Sequence, residues 1–324
     1  MTPQEKQLAR VIFKLKIHEA DGFAYENLFA KIMNYAHADF RKIKPYGSQG
    51  DRGNDAYEPQ AGRYYQVFAP EDPGSKTQEA ITKAEKDFAT KLLPYWSSVA
   101  PVREYFFVFN DKYHGTTYPL DSTLATIRVT HNLDKAQVFL ARHLEDVFMG
   151  LDEDQIFMIV GGVPTPESLP NLDYGIIAEV IDYVRTQHIN HALISSLIAP
   201  DFDEKIQFNG LKQTACYLQS KQFETYQIDE YLSRNSDFAK ANLCDHLATL
   251  YSESLNCYPE GSTFPKDDLG DLRFVTIMEK IAPLSGKPDY DRLRRDVALI
   301  LMAKYFETCD IFVEIGKCRL KSMR

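Results

Sequence analysis

Long apolar runs are missing from this chain of 324 residues. The longest, Val297 to Ala303, falls far short of the roughly 20 residues a bilayer span requires. Cysteine is scarce: Cys216, Cys244, Cys257, Cys309 and Cys318 are odd in number and never spaced C-x-x-C. This argues against a disulfide framework and a zinc knuckle and leaves reduced thiols as the expectation. No P-loop pattern and no G-x-G-x-x-G occurs, so any nucleotide dependence has to come from a partner. Serine-hydrolase and thiol-protease signatures are absent as well. Met1 to Lys16 interleaves charges with its apolar positions and lacks a signal-peptide core, so a cytoplasmic protein is expected.

What is present is an ordinary globular composition, 44% hydrophobic and 26% charged, which removes disorder as a theme. The net charge of −9 by itself argues against a dedicated nucleic-acid binder. That charge is unevenly spread, however. Residues 1–118 hold 16 basic and 15 acidic side chains, leaving 21 and 31 for the remainder. The acidity belongs to the later part of the chain.

The segment Val163-Pro164-Thr165-Pro166-Glu167-Ser168-Leu169-Pro170 disfavours both helix and central strand. It divides the sequence into expected domains at 1–163 and 171–324, with 164–170 as linker. In the first, Leu8, Val11, Ile12 and Leu15 form a helical stripe, as do Tyr25, Leu28, Phe29, Ile32 and Met33. Tyr64 to Ala69 and Glu104 to Phe109 are aromatic and β-branched runs that predict strands. A helix is expected over Lys76 to Leu93, another over Leu133 to Met149, and a third strand at Ile156 to Val160. Strands alternating with helices imply an α/β domain with a partly parallel sheet. Stripes at Ile176 to Val184, Ile189 to Ile198, Phe238 to Tyr251 and Tyr290 to Phe306 predict a mainly α-helical second domain.

The most informative stretch is Gly47-Ser48-Gln49-Gly50-Asp51-Arg52-Gly53-Asn54-Asp55-Ala56-Tyr57, followed by Arg63-Tyr64-Tyr65-Gln66-Val67-Phe68-Ala69-Pro70. A glycine-rich turn presents two carboxylates, and a strand returns beside it. Mg²⁺ prefers hard oxygen ligands and takes one or two carboxylates together with waters and substrate phosphate. Asp55 and Asp51 supply carboxylates here, with the Gln66 side chain or a backbone carbonyl as a further oxygen. Glu26, on the edge of an apolar helical face, is costly unless paired or at a site. The bland alternative is a polar turn, since Gly, Asn and Asp all favour loops.

This order of residues resembles the PD-(D/E)xK, or restriction-endonuclease-like, superfamily over roughly residues 20–112. The resemblance implies an α/β restriction-endonuclease-like domain, a mixed sheet flanked by helices, that hydrolyses DNA phosphodiesters with Mg²⁺ or Mn²⁺. Asp55 matches the metal-binding aspartate and Gln66 the second acidic or Gln position. Phe68 stands where the superfamily has its lysine. In some members that lysine has migrated to the following helix, where Lys83 is the first choice and Lys86 the next.

Tyr64 to Glu71, Phe107 to Lys112 with Gly115, and Leu301 to Phe312 together resemble effector subunits of bacterial ABC three-component antiphage systems, the group that includes Lamassu. That resemblance implies an effector nuclease held inactive by an SMC-like ABC ATPase subunit and an accessory subunit and activated on sensing foreign DNA, with homo-oligomers when active. It assigns the helical domain to docking on the ATPase complex. A catalytically decayed adaptor and a free-standing Mrr-like restriction enzyme are the alternatives.

Elsewhere the expectations are plainer. Lys76, Lys83, Lys86 and Lys91 read as a solvated helix face, although they, Arg52 and Arg63 have the charge to hold a phosphate backbone. Arg292, Arg294 and Arg295, flanked by Asp291 and Asp296, read as a salt-bridged helix surface. His188 and His191 lack a third ligand and read as surface residues. Trp96 is expected in the core, and Asn110-Asp111-Lys112 in a strand-end turn.

Overall fold

The structure, a computed structural model, describes residues 1–47, 50–165, 173–187, 202–233, 237–260, 264–265, 267–307 and 312. They gather into two compact units, Lys16–Ile159 and Met1–Leu15 together with Val160–Arg324.

The Lys16–Ile159 unit is α/β. After α1 (Pro3–Glu19), whose first residues belong to the other unit, come α2 (Gly22–Ala36), β1 (Arg41–Lys42), β2 (Ala56–Glu58) and β3 (Arg63–Phe68). Next follow α3 (Thr77–Asp87), a π-helical turn at Phe88–Leu92, α4 (Leu93–Trp96) and β4 (Glu104–Phe109). The unit closes with α5 (Tyr118–Thr130), β5 (Lys135–Leu140), α6 (Ala141–Met149) and α7 (Glu153–Val160). The five strands lie in the order β1-β2-β3-β4-β5, antiparallel from β1 to β3 and parallel from β3 to β5. The sheet is mixed, as expected.

Alternation of side chains along the strands sends Tyr57, Tyr64, Tyr105, Phe107 and Phe109 to one face. There they pack with Ala80, Ala84, Phe88, Leu92 and Trp96 from the α3–α4 segment and with Leu120 and Leu124 of α5. On the other face Tyr65 meets Phe29 of α2 at 5.5 Å between ring centroids and Phe106 at 5.5 Å. Trp96 is core, as its apolar surroundings required, and its indole N–H donates to the Asp51 carbonyl at 3.2 Å.

Two expectations are corrected here. Leu133 to Met149 is not one helix: Lys135–Leu140 is the edge strand β5, paired in parallel with β4 over its full length. Ala136, Val138 and the helical residues after them sit at spacings that fit both periods, and only pairing with β4 decides between them. Ile156 to Val160 is the end of α7 rather than a strand. Its start carries a signal the apolar run obscured, since the Asp152 N–H donates to Gln155 Oε1 at 3.1 Å, half of a capping box.

Asn110-Asp111-Lys112 is a strand-end turn, and its polar groups lock the ends of neighbouring elements. Asn110 Nδ2 donates to the carbonyls of Ile17 and Ala20 at 3.0 and 2.9 Å. Asp111 accepts from the N–H groups of Ala141 and Gly115 at 2.8 and 2.7 Å. Lys112 pairs with Asp21 at 2.8 Å.

The other unit is helical in its described residues beyond 173: α8 (Tyr174–Thr186), α9 (Phe202–Phe208), α10 (Ala215–Lys221), α11 (Tyr226–Ser233), α12 (Asp237–Cys257), α13 (Leu269–Ile281) and α14 (Pro288–Glu307). The run Val297 to Ala303 is wholly buried, the mark of a helix apolar all round at the centre of its unit. No described helix is long and apolar enough to cross a membrane. Residues 1–15 join this unit although the sequence boundary placed them with the sheet. Their stripe Leu8, Val11, Ile12 and Leu15 is buried, and Glu5 pairs with Arg292 at 3.2 Å and Lys14 with Asp268 at 2.8 Å. The stripe Ile189 to Ile198, His188, His191, Cys309, Cys318, most of the linker 164–170, and Ser48 and Gln49 of the glycine-rich turn lie outside the described residues.

Candidate metal centre

The turn before β2 bends by left-handed backbone: Gly50, Arg52 and Gly53 have φ of 65, 59 and 75°. Asp51 Oδ1 accepts from the Gly53 N–H at 2.7 Å, closing the turn. A Cβ on Gly53 would stand 3.3 Å from the Asp87 carbonyl oxygen and 3.4 Å from Lys91 Cβ. Glycine is therefore needed at 53 for both its φ and its close approach to the end of α3.

Asp55 follows. Its N–H donates to the Tyr65 carbonyl at 2.9 Å, its carbonyl accepts from Ile43, and its Oδ2 accepts from the Val67 N–H at 2.6 Å. It thus bonds the residues on both sides of Gln66. No described residue forms an ion pair with Asp55, which keeps only an edge open to solvent. Burial pushes its carboxyl up to about 7. The Val67 hydrogen bond works the other way, the charges of Asp51 and Glu26 push it further up, and Lys83 draws it down. Asp51, Glu26 and Lys83 are therefore all within electrostatic reach of Asp55. Lys86, exposed on the next face of α3, exerts no such pull.

Gln66 is 1% exposed. Its Nε2 donates to Asp87 Oδ2 at 3.0 Å and its Oε1 accepts from the Tyr105 hydroxyl at 2.6 Å. Asp87, 7% exposed, also pairs with Lys91 at 2.6 Å and Lys83 at 3.4 Å. Burial alone would raise the Asp87 carboxyl, but Lys91 and Lys83 outweigh it and hold the group below the usual carboxylate range. Burial, then the charges of Asp87 and Asp55, keep the Tyr105 phenol well above its usual range. Glu26 pairs with Lys42 at 2.9 Å.

The sequence residues Glu26, Asp51, Asp55, Gln66 and Lys83 are thus brought to one neighbourhood. Asp87 and Tyr105 belong to it and were missed. A signal for Asp87 existed: a carboxylate on the stripe Ala80, Ala84, Phe88, four residues after Lys83, is out of place on an apolar face. Tyr105 gave none, being one aromatic in a strand of aromatics. Two expectations for phosphate-binding cations change. Arg63 sits between Glu104 and Glu58 at 2.7 and 3.2 Å and is committed to them. Lys91 is committed to Asp87. Lys83 and Lys86 line an open pocket of about 450 Å³ with Gln78, Glu79, Thr82 and Asp87, and Arg52 lies over the Tyr95 ring at 5.3 Å.

The donor set suits a hard cation. Asp55 Oδ1 is uncommitted and the surrounding field is acidic, while the Gln66 amide oxygen already accepts from the Tyr105 hydroxyl. Among the described residues no group of three or more His, Cys, Asp or Glu is arranged to hold a metal. This disfavours a tight all-protein cage and is compatible with Mg²⁺, which keeps waters and uses few carboxylates.

Residues 176–313 match the family model described as C-terminal domain 10 of the ABC-three component (ABC-3C) systems. The helical unit carries an ABC-three component domain. Neither the curated proteins nor the solved structures yield a match to the chain. A domain of this kind implies a multi-subunit setting.

The ABC-three component domain is built around buried charges, which corrects the surface reading of Arg294 and Arg295. Arg295 is wholly buried, donating to the carbonyls of Val160 and Gly162 at 2.9 and 3.0 Å and pairing with Glu279 at 3.0 Å. Arg294 donates to the Pro283 carbonyl at 2.7 Å. Asp296 and Lys221, both fully buried, pair at 3.4 Å. Asp271 accepts from the N–H groups of Lys212, Gln213 and Thr214 and from the Thr214 hydroxyl. Phe306 and Phe312 pack on each other at 5.3 Å, both buried, so they are core rather than an exposed docking edge.

Proposed function

We propose that the Lys16–Ile159 unit is a PD-(D/E)xK-type nuclease and that the chain is a DNA-cleaving antiphage effector, governed through its ABC-three component domain by an ATPase partner and an accessory subunit. The observation that carries this reading is Asp55: a largely buried carboxylate without a cation, bonded on either side of Gln66, in a field made more acidic by Asp51 and Glu26. A bound Mg²⁺ would be held by Asp55 with Asp51 and Gln66 as further oxygen donors, and it supplies Lewis-acid neutralisation of the scissile phosphate. Lys83 is the cation for charge that develops on the phosphate, taking the place of the motif lysine. Arg52 and Lys86 serve the flanking phosphates through contacts that carry no sequence information. The acidic balance of this unit, 16 basic against 21 acidic side chains, makes affinity for DNA modest without partners.

The test is cleavage of plasmid DNA with Mg²⁺ by the chain co-purified with the products of neighbouring genes. Asp55→Ala is expected to abolish cutting and leave the fold intact; equal cutting by both proteins would overturn the reading. Lys83→Ala is expected to lower kcat strongly, and loss in Lys86→Ala alone would reassign the lysine.

One observation favours the adaptor reading. Phe68 is packed against Phe107 and Phe109 with ring centroids 6.1 Å apart, so the motif lysine position is occupied by an aromatic side chain. In that case association with the partners persists, no cleavage occurs with any divalent cation, and Asp55→Ala leaves phage defence unchanged. The restriction-enzyme alternative is disfavoured by the ABC-three component match.

A further inference from the structure

Gln66 has one donor end and one acceptor end, and both are engaged inside the protein. Asp87, ion-paired to Lys83 and Lys91, can only accept hydrogen bonds, so it must face the Gln66 NH₂ group at 3.0 Å. The amide oxygen is then turned to Tyr105, whose hydroxyl donates at 2.6 Å. No other assignment of the three groups satisfies all of them. The same carboxylate receives Lys83 at 3.4 Å from one turn earlier on α3 and Lys91 at 2.6 Å from one turn later. A carboxylate with two lysines is already neutralised, unlike Asp55, and has no need of a further cation.

We infer that Asp87 is a positioning residue for the Asp55 site, its carboxylate fixing the Gln66 amide and holding the Lys83 ammonium within reach of Asp55. This rests on the nuclease reading above. It also explains why position 66 carries glutamine. A glutamate there would set two carboxylates about as close as the 3.0 Å that now separates amide and carboxylate, with no proton between them, and like charges at that range cannot both stay ionised. The acidic charge usual at that motif position stands instead at Asp87, together with the displaced lysine, on α3.

The experiment is a double-substitution cycle in the full chain with its partners: Gln66→Glu, Asp87→Asn, and the two combined. In the combined protein the new amide at position 87 donates to the new carboxylate at position 66, which still accepts from Tyr105, so the bonds of position 66 survive with donor and acceptor exchanged while Lys83 loses the Asp87 oxygen that held it. Each single change is expected to lower kcat and weaken Mn²⁺ binding, read by electron paramagnetic resonance, by roughly 10- to 100-fold, the usual effect of disturbing a residue behind a metal ligand. KM for DNA should stay near the wild-type value. The combined protein should recover most of the loss in Mn²⁺ binding and the part of the kcat loss that does not pass through Lys83. A structural role alone would move the unfolding midpoint and the folded fraction but not kcat per folded molecule.

Wild-type cleavage with unchanged kcat in Asp87→Asn would overturn the inference and leave the nuclease reading standing. Losses in both single proteins with no recovery in the combined one would overturn it as well. A wild-type complex that neither binds Mn²⁺ nor cuts DNA would overturn the nuclease reading, and the positioning role with it. In that event coupling between the two substitutions seen only in the unfolding midpoints would mark the network as structural.

Discussion

Removing the charge of Asp55 should stabilise the protein at neutral and higher pH, which is unusual for a substitution at a site. The folded chain holds the Asp55 proton up to about pH 7, whereas a carboxyl of this type ordinarily titrates at 3.8. The folded state therefore binds the proton more tightly than the unfolded state. Its stabilisation is complete below about pH 4 and is lost as pH rises through 7. A difference of about 3 units corresponds to ~4 kcal/mol at most, at 1.36 kcal/mol per unit. Asp55 keeps an edge to solvent, and screening there brings the expectation to about 2–3 kcal/mol. Asp55→Asn retains an oxygen for the Val67 N–H and removes the charge. It should match wild type below about pH 4 and exceed it by that amount at pH 8 in the presence of chelator. Mg²⁺ at pH 8 should then stabilise wild type and leave Asp55→Asn unmoved. The chain has a single tryptophan, Trp96, and it sits in the α/β unit, so urea titrations followed by its emission report that unit. Parallel pH dependences in the two proteins, or a less stable Asp55→Asn at pH 8, would refute the reasoning.

Gly53→Ala must place a side chain at φ 75° against the Asp87 carbonyl; a loss of about 1–2 kcal/mol is expected from the backbone alone, measured by the same titration, with a larger proportional fall in cleavage. In the ABC-three component domain, Asp271→Ala would orphan the buried Thr214 N–H and hydroxyl and release the N–H groups of Lys212 and Gln213 before α10; a destabilisation of roughly 2–4 kcal/mol is expected, read by calorimetry on the full chain, with the pH dependence reported by Trp96 unchanged. Arg295→Met should cost about 3–5 kcal/mol, since Glu279 is left without its buried partner and two carbonyls without donors, and hydrogen exchange over α13 and α14 should show the loss.

Periodicity was enough for the elements whose pattern fits one period. The stripes of α1 and α2 and the aromatic runs of β3 and β4 are unambiguous because each buries a face of fixed spacing. It failed at Lys135–Leu140 and Ile156–Val160, short segments whose residues suit helix and strand alike, where pairing with β4 and the cap at Asp152 decide. The site divides the same way. Asp55 and Gln66 were legible because a turn and its returning strand bring near neighbours in sequence together. Glu26 was legible as a charge at the edge of an apolar face. Asp87 and Tyr105 reach Gln66 across 21 and 39 residues, and nothing in local spacing announces such a contact.

Composition and order of residues by themselves determined an α/β part followed by a helical part, an acidic excess that begins after residue 118, and a carboxylate-bearing turn beside a strand. These are properties of local chain chemistry: side-chain period, glycine's access to positive φ, and charge counted along the sequence. Tertiary structure alone decided that Arg294 and Arg295 of α14 are buried braces and that Met1–Leu15 pack with the helical unit. It also decided that Gln66 is held by Asp87 and Tyr105, and that Asp55 is left without a counter-charge. Each of these depends on which distant groups share a desolvated space, and desolvation is a property of the folded volume that no stretch of sequence carries.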